Sequence, residues 1–186
     1  MLQGFHWYSE GDAKLYENTK NSADYLKGLG ISAIWLPPAY KAAGGGYSVG
    51  YDPYDLFDLG EFEQKGTVST KYGNKKQYLD CTKTLQEKGI SVIVDIVLNH
   101  KAGGDETEKF HAIKVNPAHR QQNVSDPFEI ESHTKFTFPG REKKYSAFEW
   151  NFTCFSGVDY ALNQEEGIFQ IIHDFGDGWE EMIDDE

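Results

Sequence analysis

Asp95, Asn99 and His100 close an apolar run, Ile90-Ser91-Val92-Ile93-Val94-Asp95-Ile96-Val97-Leu98, with a carboxylate, an amide and an imidazole. Together these groups can accept and donate hydrogen bonds to hydroxylated molecules, and the carboxylate and amide oxygens suit a hard cation. In parallel α/β architectures ligands gather at the carboxyl ends of strands, where loops converge and a rigid element aims the side chains. An Asp within so apolar a run needs a partner, because an unpaired carboxylate in a dry environment is costly. Two readings follow. Either Asp95 is bonded to backbone donors while Asn99 and His100 cap the strand, or the three form part of a binding site.

The elements that would position these residues come from hydrophobic pattern and punctuation. The run 90–98 is nearly continuous and β-branched, which predicts a parallel strand buried on both faces. Met1 to Tyr8 reads as another buried strand, broken at Ser9 to Asp12. Leu15, Ala23, Leu26 and Leu29 fall near helical spacing, and Gly28 and Gly30 supply a stop. Residues 31–36 form a third apolar run, closed by Pro37-Pro38, which cannot continue a ladder. Residues 39–73, rich in Gly and Tyr, read as a long loop with short local elements. Asn74 caps a predicted helix to about Lys88, with Tyr78, Cys81 and Leu85 on one apolar face. The order strand, helix, strand, helix, strand predicts right-handed crossovers, a parallel sheet and the α/β class. After Asn99 the sequence turns polar, with short alternating pieces such as His133-Thr134-Lys135-Phe136-Thr137-Phe138, and reads as an irregular, β-leaning excursion to about residue 178.

Composition narrows the function classes. The 186 residues are 39% hydrophobic and 15% aromatic, which suits a globular chain with a core. A net charge of −12 argues against nucleic acid as a partner. No apolar run approaches the roughly 18 residues of a membrane span. The start, Met1-Leu2-Gln3-Gly4-Phe5-His6-Trp7, shows no basic segment followed by an apolar stretch, so the chain as given is expected to be soluble and cytoplasmic, with a secreted full-length form as the open alternative. Cys81 and Cys154 have no Cys-x-x-Cys spacing, so neither a zinc site nor a disulfide framework is indicated, and a reducing compartment is favoured. Gly44-Gly45-Gly46 lacks the Gly-Lys-Ser/Thr of a phosphate loop, and His-Glu-x-x-His and Gly-x-Ser-x-Gly do not occur.

Asp95-x-x-x-Asn99-His100 resembles the first conserved region of the α-amylase family, glycoside hydrolase family 13, which lies at the end of the third barrel strand. The surrounding segments look like bacterial liquefying-type members in the same order: Gln3-Gly4-Phe5-His6-Trp7-Tyr8, Trp35-Leu36-Pro37-Pro38-Ala39-Tyr40-Lys41, Gly50-Tyr51-Asp52-Pro53-Tyr54-Asp55-Leu56-Phe57-Asp58-Leu59-Gly60-Glu61-Phe62, Lys65-Gly66-Thr67-Val68 and Lys71-Tyr72-Gly73. Phe138-Pro139-Gly140-Arg141 resembles a piece of the family's inserted B domain.

The resemblance implies a partial (β/α)8 TIM barrel in residues 1–100, its first three βα strands, followed by an inserted, irregular β-rich B domain in 101–186. It implies retaining endo-hydrolysis of α-1,4-glucosidic bonds, with starch, glycogen or maltooligosaccharide as the α-glucan partner. The family's nucleophile and general acid come from later strands, so no residue here is expected to be either, and the chain alone is expected to be inactive. Tyr51 matches a tyrosine that stacks on the sugar, and His100 a histidine that hydrogen-bonds the same sugar. Asp95 takes a supporting place in the site, and Trp7 and Tyr8 either line the cleft or fill the barrel. Asn99 matches a Ca2+ ligand. Asp159 and Glu180 fall near further metal positions, Glu180 where relatives often carry Asp, and the alternative for both is a solvated acidic face. A second reading is a non-catalytic glucan- or calcium-binding module, completed by a partner chain. Three open parallel strands leave an uncovered edge, so self-association or pairing with a complementary fragment is expected.

Overall fold

The computed structural model describes residues 1–173. They form two compact units: one of Met1–Gly103 with Phe138–Ala147, the other of Gly104–Thr137 with the described residues from Phe148 onward.

The first unit is built on three parallel strands in the order β1 (Leu2–Gln3), β2 (Ala33–Leu36) and β5 (Ser91–Val94). Leu2 pairs with Ile34, and Ala33 to Leu36 pair in step with Ser91 to Val94. The strands are shorter than the apolar runs that announced them. Gly4 still donates to the Trp35 carbonyl (2.8 Å), but Ser9 then closes a turn on the His6 carbonyl (3.0 Å), which ends β1 well before Tyr8. Strand β5 also departs from expectation. It lies at the edge of the sheet, and Ile93 and Val94 are 43% and 46% exposed, with Ile96 and Leu98 exposed beyond them. Its sequence has the composition of a strand covered on both faces, and in these residues the cover is absent.

The expected helix over 15–29 is two helices, α1 (Leu15–Asn21) and α2 (Ala23–Gly28). The break falls at Ser22, whose hydroxyl donates to the Asn18 carbonyl at 2.9 Å, a back-bond that competes with the helical ladder. Helix α3 (Lys75–Glu87) starts where the sequence places it. The Asn74 side chain accepts from the Gln77 amide (2.9 Å) and the Gln77 side chain from the Asn74 amide (2.8 Å), a complete capping box. Tyr78, Cys81 and Leu85 then bury one face of α3 against Tyr16, Leu26, Ile34, Leu36, Tyr72 and Ile90.

Between β2 and α3 the long loop contains a two-stranded antiparallel piece, β3 (Lys41–Ala42) with β4 (Pro53–Asp55). Under it sits a buried polar network. The Lys41 ammonium donates to the carbonyls of Thr67 (2.5 Å), Val68 (2.6 Å) and Phe62 (3.1 Å) and lies 3.5 Å from the Asp58 carboxylate. The Gln64 amide nitrogen bridges Asp58 and Asp55, each at 3.0 Å, and Arg141 Nε donates to Asp55 at 2.8 Å. That last bond carries residues 138–147 into this unit.

The second unit is an antiparallel sheet around β6 (Glu106–Asn116). Strand β6 pairs with β7 (His119–Asn123), β8 (Phe128–Lys135) and β10 (Ile168–Ile171), and β10 pairs with β9 (Gly157–Val158). Phe110, Ala112, Ile130, Phe169 and Ile171 form its core. This is more regular than the sequence suggests, because polar side chains occupy part of the buried face. Ser132 and Thr134 on β8 are buried, donating to the Tyr160 carbonyl (2.6 Å) and the Glu108 carboxylate (2.9 Å). Satisfied hydroxyls of this kind hide the period-2 pattern from a hydropathy reading.

Candidate functional site

At the carboxyl ends of β2 and β5, backbone bonds fix the segment that carries Asp95, Asn99 and His100. The Asp95 amide donates to the Leu36 carbonyl (3.3 Å), and the Val97 amide to the hydroxyl of buried Tyr40 (3.1 Å). Farther on, the Lys101 ammonium reaches the Tyr54 carbonyl (2.6 Å) and the Ala102 amide the Pro53 carbonyl (3.0 Å). The chain from 95 to 102 is thereby held against the loop that presents Tyr51.

Four of the sequence-selected residues meet there. The Tyr51 hydroxyl donates to Asp95 Oδ2 at 2.7 Å. Its ring stacks on Trp7 with centroids 6.0 Å apart and planes 4° from parallel. His100 Nε2 lies 2.8 Å from the Tyr51 carbonyl. A carbonyl only accepts, so Nε2 carries the proton, and in the neutral ring Nδ1 is left as an acceptor. The buried-Asp reading is therefore answered by a side-chain donor 44 positions away rather than by backbone amides.

Electrostatics suit this arrangement. Burial first, and then the carboxylate it donates to, push the Tyr51 phenol well above its ordinary value, so it remains a neutral donor at physiological pH. Burial and the more distant charge of Asp95 push Tyr72 up to about 12. Asp95 keeps acceptor capacity beyond the Tyr51 bond, since an ionised carboxylate offers about four lone-pair sites. The group thus combines a half-exposed aromatic pair, a carboxylate acceptor and an imidazole, which matches a neutral, hydroxyl-rich ring better than an anion.

Among the described residues no hydrogen bond or ring contact joins Tyr8 or Asn99 to this group. Tyr8 is 86% exposed, and its amide donates to His6 Nδ1. Asn99 is exposed just beyond β5, and Asp159 is exposed after β9 in the other unit. Glu180 lies outside the described residues. A Ca2+ ion takes about 6–8 oxygen ligands. Among the described residues no group of three or more His, Cys, Asp or Glu could hold a metal ion. The described donors do not complete a calcium shell. Sequence reasoning quoted Tyr40, Asp52 and Tyr72 within the family-like segments but gave none of them a role; in the structure they bond the backbone around the site.

A parallel β/α sheet with its polar and aromatic residues at the strand ends fits either an open doubly wound sheet or part of a (β/α)8 barrel. Comparison with known proteins narrows this. The family model described as alpha amylase, catalytic domain, matches residues 19–175. The chain is 50% identical to the cytoplasmic alpha-amylase of Escherichia coli (strain K12) over 188 aligned positions, covering 100% of this chain and 38% of that protein. It is 44% identical to an alpha-amylase of Geobacillus stearothermophilus, covering 100% of this chain and 34% of that one. Among solved structures, alternansucrase in complex with isomaltononaose superposes with a TM-score of 0.58 at 18% identity, over 75% of this chain and 15% of that one, a likeness of fold. The chain belongs to the alpha-amylase catalytic-domain family, glycoside hydrolase family 13. It spans between a third and two fifths of the length of these curated relatives. No helix among the described residues is long and apolar enough to cross a membrane.

Proposed function

We propose that this chain supplies the first barrel strands and one wall of the substrate cleft of an endo-acting α-amylase that hydrolyses α-1,4-glucosidic bonds of starch- and glycogen-type glucans with retention. The observation that carries the reading is the Tyr51 phenol, at once stacked on Trp7 and bonded to Asp95, with His100 on its carbonyl. In this role the Trp7 and Tyr51 faces receive the apolar side of a glucose ring. Asp95 and His100 take its hydroxyls and fix its rotation. Residues 1–100 would belong to the barrel and 101–186 to the inserted B domain, of which the stretch 138–147 packs with the unit of the barrel strands.

Retaining hydrolysis needs two carboxyl groups about 5–5.5 Å apart, one as nucleophile and one as acid. Asp95 is the one carboxylate of this group, and in this reading it orients the sugar. The nucleophile and the acid would come from the later barrel strands that the family likeness implies. Asn99, exposed at the same strand end, would lend its amide oxygen to a Ca2+ ion, a hard cation that takes oxygen ligands. Reducing-sugar release from soluble starch in millimolar calcium tests the proposal, comparing the 186-residue chain with one extended to the length of its relatives. Activity in the extended chain alone is expected; activity in the short chain would overturn the assignment of roles.

The exposed Ile93 and Val94 on an edge strand support a second expectation, that the 186-residue chain self-associates or takes up a complementary fragment. Light scattering at micromolar concentration should find species heavier than one chain, and a monodisperse monomer would contradict this.

A further inference from the structure

Tyr51 sits in a loop that ought to be loose. Residues 43–52 include Gly44, Gly45, Gly46 and Gly50, and glycine loses more backbone freedom on ordering than any other residue. The carboxylate of Asp52 ties this loop together. Its Oδ2 accepts from the Gly44 amide at 2.8 Å and its Oδ1 from the Ser48 hydroxyl, while its carbonyl accepts from the Ala43 amide at 2.8 Å. The Ser48 oxygen in turn accepts from the Gly50 amide at 3.0 Å. Residues 43, 44, 48 and 50 are thus all linked, directly or through Ser48, to the residue that follows Tyr51.

Two further contacts hold the same stretch from below. The hydroxyl of buried Tyr72 donates to the Val49 carbonyl at 3.0 Å. Gly50 has φ +101 and lies so close to Pro38 that a Cβ would come within 2.6 Å of its ring, so the backbone before Tyr51 is pressed onto the end of β2. Neither contact reaches the glycine stretch 44–46, which only Asp52 bridges among the bonds just described.

We infer that Asp52 is a positioning residue: by closing the loop 43–52 it fixes the peptide between Tyr51 and itself, and so the direction in which the Tyr51 ring faces Trp7 and its hydroxyl meets Asp95. The inference rests on the proposed substrate role of Tyr51 but concerns a residue that touches neither Trp7, Asp95 nor His100 in these contacts. Asparagine should replace it well. Its carbonyl oxygen accepts from Gly44, and its NH2 donates to the Ser48 oxygen, reversing that bond without breaking it. Alanine removes both struts.

The experiment uses the 186-residue chain and two readouts. The first is the near-ultraviolet circular dichroism of Trp7, taken as wild type minus Trp7→Phe, which reports the stacked pair without any ligand. The second is the dissociation constant for maltoheptaose by calorimetry. Asp52→Ala should abolish the Trp7 difference signal as Tyr51→Ala does, and weaken maltoheptaose binding about fivefold or more, while Asp52→Asn keeps both near wild type. A full Trp7 signal in Asp52→Ala, or equal loss in Asp52→Asn, would overturn the inference, since the second result means that the charge and not the loop closure matters. If Asp52→Ala does not fold, Ser48→Ala decides, with a reduced signal in favour and an unchanged one against. Failure of the wild-type chain to bind maltoheptaose counts against the proposed function, and the dichroism then still decides the role of Asp52.

Discussion

Lys41→Met is expected to lower folding stability by about 3–5 kcal/mol, the usual cost of removing one partner of a buried ionic group. Lys41 and Asp58 are both fully buried. Burial lowers the Lys41 ammonium, and the Asp58 carboxylate beside it pulls the other way. Methionine fills most of the volume of the stem but offers no donor. The carbonyls of Phe62 and Val68 then lose this donor, while that of Thr67 keeps the Gln64 amide (3.1 Å), and an unsatisfied buried acceptor costs about 1–3 kcal/mol before relaxation. Asp58 suffers less, because the amides of Gly60, Glu61 and Phe62 also donate to it. Urea denaturation of wild type and Lys41→Met should show the loss as a lower midpoint with little change in slope. A change below about 1 kcal/mol would mean that water or a rearranged loop satisfies the carbonyls.

Tyr51→Ala is expected to weaken maltoheptaose binding about tenfold or more, since 1.4 kcal/mol corresponds to one decade and a stacked aromatic contact with a charge-assisted hydrogen bond exceeds that. Removing the ring takes away one face of the stacked pair and leaves Asp95 without its donor. Tyr51→Phe separates the two contributions. It keeps the ring on Trp7 but loses the 2.7 Å bond to Asp95, and should fall between wild type and alanine. Calorimetric titration of the three proteins gives the order; equal affinity of wild type and alanine would remove Tyr51 from the site.

Local rules made a good part of this molecule legible. Asn74 with Gln77 three positions on announces the start of α3, and the structure realises both bonds of that box. The alternation of apolar runs with helical spacing gives the parallel β1-β2-β5 sheet and the α/β class. Asp95, Asn99 and His100 were found because they end an apolar run, whereas Tyr51 and Trp7 came from family likeness alone. Long-range pairing was not legible. Arg141 finds Asp55 across 86 positions, so nothing near Phe138-Pro139-Gly140-Arg141 signals that residues 138–147 pack with the barrel strands' unit. Strand β5 misled in the opposite way. Its composition suits a strand covered on both faces, but cover depends on neighbours, and among the described residues β5 has a strand partner on one side only. Asp52 stood in a quoted family-like segment but its role was invisible, for a third reason: it bonds the backbone of a glycine loop, and backbone partners leave no pattern in side-chain types.

In the proposed function Trp7, Tyr51, Asp95 and His100 together form a surface for α-linked glucose. Calorimetric titration of the 186-residue chain with maltoheptaose, and in parallel with the β-linked cellohexaose, tests it most directly. Saturable heat is expected with maltoheptaose, lost in Tyr51→Ala, and none is expected with cellohexaose. Heat of equal size with both oligosaccharides, or with neither, would contradict it.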